Sequence, residues 1–376
     1  MSPIFLNPHV FDQTVDRDCS GETVGMARYL VTGGCGFIGS HLVERLLARG
    51  HTVHVLDDLS TGRRDNLPPG VPVIVADVAD AGAVRAAMAG MDGCFHLAAV
   101  ASVERSREAW LDTHAANLAG TIAVFDAART ARRGGPVPVV YASSAAVYGD
   151  NPAVPLAEDA VTAPLSAYGA DKLGCELHAR VAAGVHGVPV TGFRFFNVYG
   201  PRQDPKSPYS GVISIFAGRI AGGQAITING DGEQVRDFVY VTDLVRYLTA
   251  AMDSPRAGAP VYNVCTGRPV TVNRLAEVLA ALAGQPLNRR YGPPRPGDIR
   301  VSVGDPRRLV AAFGMVCGTA LRDGLRDTLM WMGTDGERVD TDRMVASGRG
   351  AAAAGPGAGR SRTAAGADGD GAGARP

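Results

Sequence analysis

Residues 29–39 read Tyr29-Leu30-Val31-Thr32-Gly33-Gly34-Cys35-Gly36-Phe37-Ile38-Gly39. Three apolar residues run into a glycine-rich break, and Leu42, Leu46 and Leu47 then recur at helical spacing. A short strand therefore passes through a tight turn into a helix. Gly33, Gly36 and Gly39 are spaced as GxxGxxG. In that setting the first glycine permits the turn, the second lets backbone approach a pyrophosphate, and the third lets the helix pack against the sheet. The helix start adds unpaired N–H groups and a positive partial charge. Glycines also mark ordinary turns, but a strand and a helix flank these. Val53 to Leu56 form the next apolar run and close on Asp57, 18 residues after Gly39. A carboxylate there accepts hydrogen bonds from ribose hydroxyls and repels a 2′-phosphate, which predicts NAD rather than NADP.

Further apolar runs lie at 73–75, 94–97, 137–141 and 188–196, with helix-compatible stretches such as 117–131 and 168–183 between them. Strands alternating with helices predict an α/β fold, a Rossmann-type doubly wound parallel sheet covered on both faces. After residue 198 Pro201 and Pro205 mark loops, 212–222 is helix-compatible, and Gly230-Asp231-Gly232 makes a turn. The expected layout places the dinucleotide-binding domain at 28–198 and 237–266. A smaller C-terminal substrate-binding domain takes 199–236 and 267–332. Residues 1–27 precede the first strand without periodicity, and Met26 stands where such a chain would naturally begin. The first 25 residues are therefore expected to be dispensable. From Ala351 to Pro376, 17 of 26 residues are Ala or Gly, too few apolar groups to offset the entropy of ordering, so 333–376 is expected to be a disordered tail.

Composition excludes several classes. The 376 residues carry 37 Lys+Arg against 37 Asp+Glu, a formal net charge of zero that argues against nucleic-acid binding and a polybasic membrane footprint. No apolar run approaches a membrane span, and residues 1–27 lack the pattern of a signal peptide. The six cysteines lie far apart with no CxxC pair, so no metal site is predicted, and reduced thiols in a cytoplasmic protein are expected.

Tyr168 and Lys172 stand four apart at the head of a helix and share a face. An ammonium beside a phenol favours the phenolate, drawing a group that ordinarily titrates near 10 towards use as a base. Ser144, closing the run Tyr141-Ala142-Ser143-Ser144, supplies a hydroxyl to hold a substrate oxygen. A YxxxK pair by itself is common on exposed helices. Its place after a dinucleotide turn and a serine-bearing strand end makes it a catalytic candidate.

These features, with TGGCGFIGSH (32–41), DDLSTG (57–62), HLAA (96–99), NLAGT (117–121), YASSAAVYG (141–149), FRFFNVYGPRQDP (193–205), GDGEQVRDFVYVTD (230–243) and RPGD (295–298), run in this order over residues 28–332. The chain resembles the extended short-chain dehydrogenase/reductases of the nucleotide-sugar epimerase/dehydratase family, closest to UDP-glucose and UDP-N-acetylglucosamine 4-epimerases. The resemblance implies NAD contacts from Gly33, Gly36, Phe37, Ile38, Gly39, Asp57, Asp58, Leu59, Ser60, Thr61, Gly62, Asp77, Val78, Leu97, Ala98, Ala99, Asn117 and Phe196. It further implies that Lys172 holds the nicotinamide ribose, and that Ser102, Ser144, Tyr168, Asn197, Ile226, Arg236, Arg295 and Ser302 meet a UDP-sugar. On that footing Tyr168 takes the 4-hydroxyl proton, a transient 4-keto sugar turns about its anchored diphosphate, and hydride returns to the other face. Homodimers are implied as well, through helices near 117–131 and 168–183.

Within the family, 4,6-dehydratases carry Asp-Glu after the catalytic hydroxyl, and related decarboxylases carry a Glu. Ala145 and Ala146 stand there in this chain and cannot transfer protons, which favours epimerisation. A one-way 4-ketoreductase uses the same Ser, Tyr and Lys and stays open, as does a non-catalytic NAD-binding regulatory or scaffold protein, although the catalytic set is intact. Ser302 matches a position that is tyrosine in relatives restricted to glucose and galactose. A small residue there leaves room for a C2 acetamido group, so UDP-GlcNAc and UDP-GalNAc are expected substrates beside UDP-Glc and UDP-Gal. Ala101 replaces a lysine that some glucose/galactose epimerases place near the diphosphate.

Overall fold

A computed structural model describes residues 25–205, 211–295 and 297–333. The expectations for an N-terminal extension and an Ala/Gly-rich tail fall almost wholly outside the described residues.

The first strand, β1 (Arg28–Thr32), feeds helix α1 (Phe37–Ala48) through the glycine turn. It pairs in parallel with β2 (Thr52–Asp57) on one side and β4 (Gly93–His96) on the other, Leu30 lying opposite both His54 and Cys94. Among the described residues these belong to a seven-stranded parallel sheet completed by β3 (Val73–Val75), β5 (Val139–Ser144), β6 (Val190–Phe195) and β10 (Val261–Val264), in the order β10-β6-β5-β4-β1-β2-β3. Chain order therefore reverses between β1 and β4, and the crevice beyond their carboxyl ends is where such sheets bind ligands.

The period-two alternation of strands sorts side chains onto two covered faces. Val31, Val55, Phe95 and Val140 pack on one side, with Leu42, Leu46 and α8 (Val241–Asp253). Leu30, Leu56, Cys94, Val139 and Tyr141 point to the other side, under α2 (Ala81–Met88), α5 (Gly120–Arg129) and α6 (Ala167–His186). Each large aliphatic removed from water here contributes roughly 1.5–3 kcal/mol. Helix α6 is bounded by local chemistry at both ends. Ser166 Oγ accepts the Gly169 N–H at 3.1 Å, and Gly187 adopts the left-handed conformation (φ 67°) that lets the last turn close.

The stretch expected to turn helical at residue 117 does so earlier. Helix α4 (Trp110–His114) runs through a π-turn at Ala115–Ala119 directly into α5. Trp110 and Leu111 are 69% and 82% exposed, so the first turn carries no buried periodicity for a sequence reading to register.

The C-terminal elements gather around β9 (Val235–Tyr240). Its first half pairs with Pro269–Thr271 and with Val301–Ser302, its second half with β7 (Asn197–Tyr199). The strand thus runs unbroken across residues 236/237, where a domain boundary is expected from sequence. Beside it α7 (Val212–Ala221) and α9 (Val272–Ala283) pack Ile213, Phe216, Leu275 and Leu279 over β8 (Ile226–Asn229) into a third core. Among the described residues no helix is long and apolar enough to cross a membrane.

Candidate active site

The glycine turn is built against a second turn. Gly33 has φ +71°, and a Cβ there would stand 2.7 Å from the Ala98 amide nitrogen, so residues 33 and 98 touch backbone to backbone. A Cβ on Gly39 would run into the Gly33 carbonyl, whereas Gly36 has little but open space before it. Gly36 caps α1 in extended conformation without a side-chain hydrogen bond. The first N–H groups of α1 therefore lack side-chain acceptors, over a cradle that any side chain would fill. This is the donor set a pyrophosphate needs, and the residues fit the dinucleotide expected from sequence.

Asp57 is 6% exposed, and its two carboxylate oxygens accept the Cys35 and Leu59 N–H groups, each at 2.9 Å. Burial pushes its pKa up while those two bonds hold it down. One carboxylate thus closes the glycine turn onto the 57–62 loop and keeps lone pairs for a ribose. Gly62 lies tight against it. Asp58, at the surface, instead folds onto Ser60, whose N–H and Oγ–H both donate to its Oδ1. Thr61 is exposed beside them. Asp77 is exposed as well and accepts the Ala79 N–H, but Val78 turns its side chain into the core against Gly120, leaving only backbone for an adenine.

Two expected contacts need correction. Asn117 is wholly buried, and both ends of its side chain are engaged by Val100: Oδ1 accepts the Val100 N–H at 2.8 Å, and Nδ2 donates to the Val100 carbonyl at 3.3 Å. It clamps the turn that follows Leu97, Ala98 and Ala99 and does not face a ligand. Ile226 is likewise fully buried in the third core, because it alternates inward along β8 and has no surface to offer a substrate. Ser102 caps the helix Val103–Glu108, its Oγ accepting the Arg105 N–H.

At the end of β5, Ser144 is half-buried and its Oγ accepts the Ala146 N–H at 3.2 Å. A Cβ on Gly169 would stand 2.7 Å from the Ala146 carbonyl. The head of α6 therefore presses directly onto the turn after Ser144, which brings Tyr168 to that strand end. One helical turn on, Lys172 is 2% exposed, donates to the Ala142 carbonyl at 3.0 Å and lies 5.9 Å from the centre of the Tyr168 ring. The three groups chosen from sequence come together at the carboxyl edge of the sheet. Phe196 packs under the same edge, so close to Gly304 that a Cβ there would meet its ring at 2.7 Å.

Behind this edge Glu176 accepts the Ser143 hydroxyl at 2.6 Å and is gripped by Arg194, which also donates to Tyr148. Sequence reading missed this support, because its members lie on four different elements.

Arg295 lines a cavity from the loop before the strand Val301–Ser302, and Arg236 projects from β9 onto Asp298 in that cavity's wall. Arg236 is half-buried, and its Nη2 donates to Asp298 Oδ1 at 2.5 Å. Arg295 is exposed in a cavity of about 690 Å³ that Gln234, Tyr291, Asp298 and Arg300 also line. Ser302 lies opposite Arg236 in register, and Asn197 opens the neighbouring strand β7. Asp298 escaped the list of expected contacts although it closes the RPGD motif. Its carboxylate aims Arg236 and receives Gln234 Nε2 at 3.3 Å. Asp237 binds β9 to its surroundings through the amides of Thr266, Gly267 and Gly304. Among the described residues no group of three His, Cys, Asp or Glu is placed to hold a metal ion.

A family model for the NAD dependent epimerase/dehydratase family matches residues 29–265. A UDP-glucose 4-epimerase of Mycolicibacterium smegmatis is 38% identical over 309 residues, covering 80% of this chain and 97% of that protein. A UDP-glucose 4-epimerase of Thermus thermophilus, solved in complex with NAD, superposes with a TM-score of 0.75 at 38% identity, covering 81% of this chain and 98% of that one. A UDP-N-acetylglucosamine 4-epimerase of Methanobrevibacter ruminantium, in complex with UDP-N-acetylmuramic acid, gives 0.76 at 34% identity, with 82% and 99% covered.

Proposed function

Because this chain belongs to the NAD dependent epimerase/dehydratase family, we propose that it inverts C4 of a UDP-hexose. The observation that supports the reading is the convergence of Ser144, Tyr168 and Lys172 on the carboxyl end of β5, with no proton-transferring group at Ala145 or Ala146. NAD, held by the cradle and Asp57, supplies the acceptor that takes a hydride from C4 and gives it back.

The chain's own residues handle the proton and the substrate. Tyr168 takes the 4-hydroxyl proton and returns it to the same oxygen after inversion, with the Lys172 ammonium held beside its ring. Ser144 donates a hydrogen bond to that oxygen throughout. Arg236 and Arg295 grip the diphosphate, since a guanidinium binds two oxygens at once, and this anchor lets the sugar turn while the nucleotide stays fixed. Ser302, opposite Arg236, leaves space at C2, so acetamido sugars are substrates beside glucose and galactose.

Two copies pair through α5 and α6. Leu177, Val181 and Val185 form a stripe four residues apart on α6, 52%, 47% and 72% exposed, with Ile122 of α5 also exposed. The buried free thiols of Cys35, Cys94, Cys175, Cys265 and Cys317 suit a reducing, cytoplasmic setting.

Incubating the pure protein with UDP-GlcNAc and UDP-Glc without added reductant, and following the sugar protons by NMR, tests the reaction. C4 epimers of the supplied sugars are the expected products; accumulation of a 4-keto product would move the chain to a dehydratase or oxidase.

A further inference from the structure

Under the dinucleotide cradle lies a closed ring of buried hydrogen bonds that no step of the proposed chemistry uses. Thr32, the last residue of β1, accepts the Leu97 N–H at its carbonyl (3.1 Å) and the Ala98 N–H at Oγ1 (3.2 Å). Its Oγ1 also lies 2.8 Å from His96 Nδ1. The other imidazole nitrogen, Nε2, is 2.9 Å from Thr121 Oγ1, whose hydroxyl donates to the Asn117 carbonyl at 2.5 Å. Asn117 in turn clamps Val100, which closes the ring four residues after His96.

The proton count assigns the imidazole. Thr121 has one hydroxyl proton, and the Asn117 carbonyl at 2.5 Å claims it, because two oxygens that close cannot face each other without a hydrogen between them. Thr121 must then accept from His96, so Nε2 carries the proton and Nδ1 accepts from Thr32. A doubly protonated imidazole would turn the Thr32 hydroxyl away from its partner. Burial, with the Lys172 charge adding to it, lowers the His96 pKa to about 3. His96 is therefore neutral across the working range.

We propose that His96, as the neutral Nε2–H tautomer, is a positioning residue for the dinucleotide, locking the end of β1 to the helix that carries Asn117 and so holding residues 97–100 against Gly33. The inference rests on the reading of this chain as an NAD enzyme and extends it to a side chain that touches neither cofactor nor substrate. Without the lock, the 97–100 turn is free to move against the cradle, and the backbone contact between Gly33 and Ala98 is the first to loosen.

The test uses the full-length protein labelled with ¹⁵N-histidine, with the resonance assigned by its loss in His96→Gln. We expect an imidazole with the Nε2–H signature that does not titrate between pH 5.5 and 8.5. NAD affinity, measured alongside, should fall about tenfold in His96→Gln, which keeps one hydrogen bond, and further in His96→Phe, which keeps none. UDP binding should be unchanged in both. Thr121→Val, which removes the far link with little change of shape, should reproduce the His96→Gln effect if the larger change impairs folding. An Nδ1–H tautomer, titration in that range, or variants that bind NAD within twofold of wild type would each overturn the inference. Failure of the wild-type chain itself to bind NAD would overturn the functional reading as well, which separates the two.

Discussion

Arg194 and Glu176 meet through two hydrogen bonds of 2.8 and 2.7 Å, with side chains only 5% and 1% exposed. Around this pair Ser143 donates to Glu176, Arg194 donates to Tyr148 and to the Glu158 carbonyl, and Tyr148 donates to Asn263. One polar network therefore joins β5, α6, β6 and β10 directly behind Ser144. Removing Glu176 strands a buried guanidinium. Glu176→Ala is expected to destabilise the fold by about 3–5 kcal/mol, read as a lowered urea midpoint with an unchanged m-value.

Loss of the phenolic oxygen alone should separate chemistry from binding. Tyr168→Phe keeps the ring beside Lys172 but leaves no acceptor for the 4-hydroxyl proton, so kcat is expected to fall about 10²–10⁴-fold. NAD and UDP affinities should stay close to wild type by calorimetry. Undiminished turnover would remove Tyr168 from its role.

Ser302 sits in register with Arg236, within the strand cluster that would hold the substrate's diphosphate. Ser302→Tyr fills the room left at C2. Turnover of UDP-GlcNAc is expected to drop at least tenfold (about 1.4 kcal/mol) while that of UDP-Glc is retained. Equal effects on both sugars would place the discrimination elsewhere.

Acid should weaken the fold partly through His96. Its folded pKa, near 3, lies below the usual 6.5, so the unfolded chain binds a proton that the folded chain refuses. Stability from this group is fully present above about pH 6.5 and is lost as the pH falls towards 3, with a slope approaching roughly 1.4 kcal/mol per pH unit. Burial raises Asp57, Asp237 and Glu158, which act in the opposite direction in the carboxylate range. The comparison is therefore made against His96→Gln: between pH 6.5 and 4.5 wild type should lose stability more steeply than the variant in urea titrations.

A charge placed in the α6 stripe should block pairing. Val181→Asp is expected to convert a dimer to a monomer in sedimentation velocity, with NAD binding intact, since Val181 is 47% exposed and remote from the glycine turn in sequence. A wild-type monomer would refute the proposed interface outright.

Much of this architecture was legible along the chain because its causes are local. The glycine turn, the strand ends at Asp57 and Ser144 and the YxxxK spacing are short-range patterns whose geometry follows from backbone periodicity. What stayed hidden depends on where side chains point after packing. Asn117 and Ile226 sit near functional positions in sequence, yet one is consumed by Val100 and the other by the core. Asp298 and Glu176 grip arginines 62 and 18 residues away, and no local pattern announces such a partner. Trp110 and Leu111, exposed on the first turn of their helix, gave no burial signal at all.

The π-turn at Ala115–Ala119 gives this helix a place to absorb a change of chain length. Its wider winding accommodates an additional residue, and the Asn117 carbonyl inside it is reached by both Thr121 and Cys175. Removing one residue from the segment would let it relax into ordinary α-helix with the turns on either side kept in phase, whereas the same deletion within the α-helical part of α5 would rotate everything after it by about 100°. Thr121, Val124 and Phe125 would keep their buried face in the first case and lose it in the second. A single-residue deletion at Ala115, Ala116 or Ala119 should therefore be less damaging than one in the middle of α5, making the bulge a local reserve of chain length.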